Sequence, residues 1–304
     1  MEQSPIPRVL TVAGSDPSGG AGLQADLKAF AAFGTWGCAA VTALTAQNTR
    51  QVTGIHAVPA AFVREQLETL FADVAIDAVK VGMVATRELA ETVAMELGRR
   101  RASLRAIVVD PVMVSKGGHS LVDDDAVAAI RDRLLPLATV LTPNRHEAAR
   151  LLGREVGEDE RSLREAAADV RRFGPLAVCV KGGAGRGSLA VDAVATGRGI
   201  HTLCTERIAT RNLHGSGCTF SSAIAAILAR GAAVEEAIFL AKGFIAESLA
   251  TSGRLAVGGG HGPTHALHRV EPWTPDSRTT PTVERRDSQH GPGDGLSRSG
   301  VTRG

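Results

Sequence analysis

Apolar residues along this chain fall into short unbroken runs, separated by longer stretches in which they recur at every third or fourth position. Short runs closed by glycine or proline predict buried strands, and the wider spacing predicts helices packed on one face. Strands are expected at 8–13, 37–46, 77–81, 106–113, 139–142, 176–180 and 188–195, with a hairpin partner at 199–204. Helices are expected at 23–30, 59–73, 86–101, 123–135, from Pro143-Asn144-Arg145-His146-Glu147 onward, at 160–173, from near Cys218 to Ala229, and at 233–251. Strands alternating with helices imply an α/β fold of three layers, α/β/α, around a mostly parallel central sheet. One domain is expected over 1–271. From 272 to 304 the chain turns to Pro, Gly, Ser, Thr, Arg and Asp without apolar periodicity, which reads as a disordered tail.

This order of elements has a chemical consequence. In parallel α/β sheets, ligands bind beyond the carboxyl ends of the strands. Gly14 to Gly22, Gln47, Gly82-Met83, Asp110, Asn144 with Glu147, and Lys181 each follow a predicted strand, so all are expected at one edge. Two of the intervening stretches suit anions. Gly14-Ser15-Asp16-Pro17-Ser18-Gly19-Gly20-Ala21-Gly22 runs from strand to helix, although no Gly-Lys-Ser/Thr closes it as in a Walker A loop. Arg211-Asn212-Leu213-His214-Gly215-Ser216-Gly217-Cys218-Thr219 leads into a helix of small and apolar residues. Unpaired N–H groups and the positive end of the macrodipole meet at such a helix start, and glycine admits a close ligand. Cys218 falls on the first turn, where the same field favours a thiolate. The plainer alternative is a glycine-rich loop capping a core helix, with an inert cysteine.

Composition narrows the choice. The chain has 304 residues, 44% hydrophobic and 22% charged, which fits one large globular domain. A net charge of +2 and 3% aromatic residues, with no Tyr, argue against nucleic-acid or membrane partners. The four cysteines form no C-x-x-C pair, so neither a zinc site nor a redox motif is indicated. No apolar run reaches membrane-spanning length and Met1-Glu2-Gln3-Ser4-Pro5 does not read as a signal peptide, so a cytoplasmic location is expected. Only five lysines, at 28, 80, 116, 181 and 242, stand against 29 arginines, which marks each lysine for attention. Lys116 and Lys181 each precede a Gly-Gly pair, and a compact mobile cation suits a moving phosphate.

Two anion sites, scarce lysines and strand-end carboxylates together fit phosphoryl transfer. The amides of Gly215 to Cys218 would balance the charge on the moving group. Asp110 and Glu147 would hold Mg²⁺ directly or through water. Each has a structural alternative, a strand-end turn for Asp110 and a charge complementing the helix dipole for Glu147. For Lys181 the alternative is a solvated loop lysine.

The same motifs carry a family resemblance. Gly14 to Asp26, Thr42-Ala43-Leu44-Thr45-Ala46-Gln47-Asn48-Thr49, Lys80-Val81-Gly82-Met83, Asp110-Pro111-Val112-Met113, Thr142-Pro143-Asn144 with Glu147, Lys181-Gly182-Gly183 and His214 to Thr219 occur in an order similar to that of the hydroxymethylpyrimidine/phosphomethylpyrimidine kinases of thiamine biosynthesis, in the ribokinase-like superfamily. The resemblance covers about residues 8–268. It implies an ATP- and Mg²⁺-dependent kinase, homodimeric, acting on 4-amino-5-hydroxymethyl-2-methylpyrimidine and then on its monophosphate. By motif matching, Gly14, Asp26 and Gln47 meet the pyrimidine, with Met83 and Val112 packed near its ring. Cys218 takes the position of the catalytic base, with Gly215, Ser216 and Gly217 forming the anion hole. Asn144, Lys181, Ser216 and Lys242 lie near ATP. Ser216 replaces a more usual threonine, and Pro17 a small residue. A pyridoxal-type vitamin kinase and a non-catalytic nucleotide-binding protein are the competing readings.

Overall fold

The structure is a computed structural model that describes residues 5–113, 122–183, 185 and 187–270. Lys116 with its Gly-Gly pair and the tail from 272 lie outside the described residues.

Nine strands form one sheet. In chain order they are β1 (Arg8–Ser15), β2 (Trp36–Gln47), β3 (Val52–Ala57), β4 (Ala78–Val81), β5 (Ala106–Val109), β6 (Val140–Leu141), β7 (Ala177–Lys181), β8 (Leu189–Thr196) and β9 (Gly199–Glu206). They lie side by side as β3-β2-β1-β4-β5-β6-β7-β8-β9. The six from β2 to β7 run parallel, whereas β3, β8 and β9 pair antiparallel at the two margins. The expected strands are present, and the expected hairpin is β8–β9. β3 was not anticipated. Its sequence, Val52-Thr53-Gly54-Ile55-His56-Ala57, carries a central glycine and is exposed along nearly its whole length, so it has no apolar run to betray it. Pairing with β2 is what makes it a strand. The expected strand at 106–113 stops at Val109, because Asp110 and Pro111 begin a turn.

Helices α2 (Ala60–Asp73), α3 (Arg87–Arg99), α4 (Asp124–Ala129), α5 (Arg145–Leu152) and α6 (Glu160–Arg171) cover one face of the sheet. Helices α1 (Gly22–Ala32), α7 (Ser216–Ala229) and α8 (Val234–Ala250) cover the other. The single helix expected over 123–135 is α4 prolonged by a π-helical turn at Ile130–Leu134. Side-chain caps fix several starts. Thr86 accepts from Leu89 N–H, Asp159 accepts from Ser162 N–H, and Asn144 with Glu147 closes a capping box on α5.

Strand alternation explains both cores and one exception. Leu10, Val12, Val79, Val81, Ile107 and Val109 enter the α2–α6 core, whereas Val9, Ala78, Ala106 and Val108 enter the α7–α8 core. Thr11 and Lys80 share the second face and stand opposite each other in the β1–β4 register. Asp26 of α1 and Ser222 of α7 meet them there. Lys80 Nζ lies 2.9 Å from both Asp26 oxygens, Thr11 donates to Asp26 at 2.6 Å, and Ser222 donates at 2.7 Å. Both charged side chains are wholly buried. Breaking a buried pair on one side leaves an uncompensated charge, at roughly 3–5 kcal/mol. Lys80→Met should therefore lower the denaturant midpoint sharply, and the double variant Lys80→Met/Asp26→Leu should be more stable than the single one.

Candidate active site

A cavity of about 790 Å³ opens at the carboxyl edge of the parallel strands, where the sequence placed the chemistry. Its wall includes Gly14, Gln47, Met83, Asp110, Val112, Asn144, Glu147, Lys181, Lys242 and the stretch from Gly215 to Cys218.

Helix α7 supplies the floor. From Thr219 to Ala229 every residue is buried, and the small side chains let the helix lie against β1, β4 and β5. It starts without a side-chain cap, from Gly215 in the left-handed region at φ 72°. A Cβ there would overlap the Gly20 carbonyl oxygen, so only glycine allows the two anion loops to meet. Ser216 N–H is taken by Leu213 O at 3.2 Å. The amides of Gly217 and Cys218 have no partner among the described residues. A Cβ on Gly217 would stand 3.1 Å from Lys181 Nζ and 3.4 Å from Asp110 Oδ2, so the helix start faces the charged group directly.

That charged group is compact. Lys181 Nζ lies 2.8 Å from Asp110 Oδ1, which also accepts from Thr142 Oγ1 at 3.0 Å. Burial would raise the Asp110 carboxyl, but the ammonium groups of Lys181 and Lys80 hold it below its ordinary value. Burial works against the Lys181 cation, yet Asp110 and Glu147 keep it protonated. Glu147 differs. Burial pushes its carboxyl up to about 7, Lys181 opposes this, and Asp110 adds to it. Its Oε2 accepts the Asn144 N–H at 2.7 Å, so Asn144 is engaged in the α5 cap while it lines the cavity. On the far side, Lys242 Nζ bonds Asp192 Oδ2 at 2.7 Å and Ala190 O at 3.0 Å. Asp192 in turn accepts the Gly182 N–H at 3.0 Å, tying Lys242 to the Lys181-Gly182-Gly183 turn.

At the other end, Gly14 lets Met83 approach, since a Cβ there would lie 3.0 Å from Met83 Cε. Met83 is held by Thr42, whose hydroxyl donates to its carbonyl at 2.7 Å. Gln47 projects from the end of β2 with its amide near Thr45 Oγ1 and His214 Nε2.

Two expectations are corrected. Asp26 does not line the cavity. Its two oxygens take four hydrogen bonds from Lys80, Thr11 and Ser222, and it has neither exposure nor a free lone pair for a pyrimidine. Cys218 is not a depressed thiol. Burial pushes it up to about 11, Lys80 pulls it down, Asp26 and Asp110 push it up again, and the Gly22 amide favours the thiolate too weakly to prevail. Partial withdrawal from water outweighs the positive charge of Lys80 nearby. Asp16, Asp192 and His214 carry no expected role, yet each is fixed at the cavity wall. Lys80 had a legible signal, a lysine inside the apolar strand Ala78-Val79-Lys80-Val81, which needs a buried partner. Asp192 had a similar one within Leu189 to Thr196.

Gathered at one sheet edge, uncapped amides, buried lysine–aspartate pairs and a polar recess define a phosphotransferase of the ribokinase-like fold. Comparisons with known proteins narrow that class. The family model for phosphomethylpyrimidine kinase matches residues 16–265. A hydroxymethylpyrimidine/phosphomethylpyrimidine kinase of Rhizobium meliloti is 47% identical over 86% of this chain and 97% of its own length. The Escherichia coli protein of that name is 42% identical, over 85% and 97%. The chain also spans 54% of a thiamine biosynthesis bifunctional protein of Geobacter sulfurreducens, at 47% identity. Among solved structures, a Clostridium difficile phosphomethylpyrimidine kinase aligns with TM-score 0.69 and 36% identity, over 79% of this chain and 98% of that one. A Bacillus subtilis pyridoxal kinase in complex with ADP aligns with TM-score 0.79 and 35% identity, over 86% and 98%. The chain belongs to the phosphomethylpyrimidine kinase family, whose members transfer phosphoryl groups from ATP.

Two measurements check the electrostatics. Alkylation of Cys218 by iodoacetamide in the ligand-free protein should accelerate about tenfold per pH unit from pH 7 to pH 10, as the thiolate fraction grows. A plateau below pH 8 would contradict the raised thiol. Glu147 is raised in the fold above its unfolded value, so the folded state holds a proton that the unfolded chain releases. Its contribution to stability is accordingly lost as pH rises from about 4.5 to about 7. Glu147→Gln should gain stability relative to wild type between pH 5 and pH 8, by roughly 1–3 kcal/mol in denaturant titrations.

Proposed function

We propose that this protein transfers the γ-phosphoryl group of ATP to the hydroxymethyl oxygen of 4-amino-5-hydroxymethyl-2-methylpyrimidine, and then a second phosphoryl group to the resulting monophosphate. The observation that carries the reading is the start of α7, where the Gly217 and Cys218 amides have no partner among the described residues and Gly217 stands beside the Asp110–Lys181 pair, inside the cavity that Gln47, Met83 and Val112 also line. One end of that cavity suits a small polar ring and the other suits polyphosphate.

Each residue then has a task. Gln47 offers the pyrimidine both a donor and an acceptor. Met83 and Val112 flank the ring, and Gly14 leaves room for it. The Gly217 and Cys218 amides, with Gly215 shaping the loop and Ser216 beside it, hold the moving phosphoryl group. Lys181 and Lys242 balance the nucleotide phosphates, with Asn144 at the pocket wall. As the new O–P bond forms and the bond to ADP breaks, the hydroxymethyl proton passes to the sulfur of ionised Cys218. In a loose transition state most of the rate comes from positioning and charge balance, so a small thiolate fraction suffices.

The residues fit Mg²⁺ carried on the nucleotide. Asp110 Oδ2 has no partner among the described residues, and Glu147 lies beside it with hard oxygen donors. Among the described residues no group of three or more His, Cys, Asp or Glu could hold a metal ion. Magnesium in such sites is held by one or two carboxylates, with water and phosphate completing its shell. When bound, the ion would neutralise phosphate charge. Homodimeric assembly accompanies this reading and rests on the family resemblance, and a cytoplasmic location rests on the composition of the chain.

Steady-state assays with ATP and either the aminopyrimidine or pyridoxal test the proposal. Turnover of the aminopyrimidine, in two successive phosphorylations, is expected; exclusive turnover of pyridoxal would overturn it. Gln47→Leu should lower kcat/KM for the pyrimidine by roughly 1–3 kcal/mol in transition-state binding, about 5- to 150-fold, and leave KM for ATP near wild type.

A further inference from the structure

His214 belongs to the loop that starts α7, yet nothing above gives it a task. Its ring is nearly buried, and so is Asp16, at 7% and 3% exposure. His214 Nε2 lies 2.7 Å from Asp16 Oδ2. The ring is wedged against Gly20, where an added Cβ would meet His214 Cδ2. Its backbone is pinned as well, accepting from Thr264 N–H and donating to Gly262 O. Asp16 is itself fixed by Ser18 N–H at 2.9 Å, Ser18 Oγ at 3.0 Å and Ala21 N–H at 2.9 Å. Although burial opposes the charge, His214 and Ser18 hold the Asp16 carboxyl below its ordinary value, so it is an acceptor only. The proton of the ring must therefore sit on Nε2.

This has a consequence for Gln47. The Gln47 amide nitrogen is placed 3.3 Å from His214 Nε2 and the amide oxygen 3.2 Å from Thr45 Oγ1. A ring nitrogen whose one proton goes to Asp16 offers the amide NH₂ no acceptor, so the two amide ends are assigned the other way round, with the oxygen toward the ring. The amide NH₂ then faces Thr45, whose own proton goes to Ser15 O at 2.8 Å and whose lone pair is free. With this assignment every donor in the chain from Asp16 to Ser15 meets an acceptor. Gln47 keeps one N–H and its oxygen for the cavity, in a fixed order.

We propose that the Asp16–His214 pair locks the orientation of the Gln47 amide and thereby sets the hydrogen-bond polarity with which the site reads its substrate edge. His214 is a positioning and specificity residue, distinct from the groups that move phosphate. An aminopyrimidine edge, with an accepting ring nitrogen beside a donating amino group, matches one amide order. A pyrimidin-4-one edge, with a donating N–H beside an accepting carbonyl, matches the reverse order, which His214 forbids. The inference rests on the pyrimidine reading of the cavity.

The test compares the 4-amino substrate with its 4-oxo analogue. Wild type should prefer the amino compound by about a hundredfold or more in kcat/KM, as expected when buried polar groups would otherwise be mismatched. His214→Leu should shrink that preference at least about tenfold while KM for ATP changes less than about twofold, because the freed amide can turn either way. His214→Gln, which restores a donor near the Nε2 position, should recover the preference. A His214→Leu enzyme that keeps the wild-type ratio, whatever its absolute rate, overturns the proposal. Should that variant fail to fold, ¹⁵N spectra of ring-labelled wild type decide the matter. Protonation at Nε2 of His214 is required, and a ring protonated only at Nδ1 refutes the lock. Failure of the wild type to phosphorylate either pyrimidine would instead remove the functional reading, and the ring spectrum would still report on the lock.

Discussion

Three lysine–aspartate pairs support the catalytic edge, and the rest of the site depends on them. Lys80 with Asp26, Lys181 with Asp110, and Lys242 with Asp192 are all largely withdrawn from solvent. A single charge in those positions would be costly, whereas a pair with further hydrogen bonds is tolerated. The pairs also join elements distant in sequence. Asp26 connects α1 to β4 and, through Ser222, to α7; Asp110 connects β5 to β7; Asp192 connects β8 to α8. Charge balance and the assembly of the pocket are thus the same set of contacts.

The pairs hold α7 in a demanding place. A helix start with free amides is useful to phosphate only when it faces the cavity without a side chain capping it. Most helices on the opposite face are capped by their own residues, Thr86, Asp123, Asn144 and Asp159 among them. Helix α7 instead begins at a left-handed glycine pressed against the Gly20 carbonyl, and its Gly217 and Cys218 amides have no partner among the described residues. Its small residues permit this depth, because larger ones would lift the helix off β1, β4 and β5.

Electrostatics at the site follow from depth as much as from neighbours. Cys218 sits at the favourable end of a helix dipole and near Lys80, yet burial leaves its thiol mostly protonated at neutral pH. Glu147 is raised by the same burial, whereas Asp110, equally removed from water, is lowered because two lysines face it. Two carboxyl groups in one pocket are thus driven in opposite directions, Glu147 upward by burial and Asp110 downward by its lysine partners.

The sequence by itself determined the alternation of strands and helices, the parallel sheet, and the single edge at which the chemistry gathers. Apolar runs and glycine-rich breaks record burial and turns directly, and strand ends in such a sheet have only one place to go. Gln47, Met83, Asp110, Glu147, Lys181 and the Gly215–Cys218 loop were legible for that reason. Tertiary structure alone decided what each side chain faces. It turned Asp26 away from the cavity toward Lys80, because strand register sets Lys80 beside Thr11 on the face that α1 and α7 cover. It made β3 a strand through pairing that its own residues do not announce. It raised Cys218, since local sequence reports the helix start but not the water that folding removes. It also brought Asp16 and His214 together across 198 positions. Contacts of that span depend on how layers pack, and no local pattern in the chain encodes them.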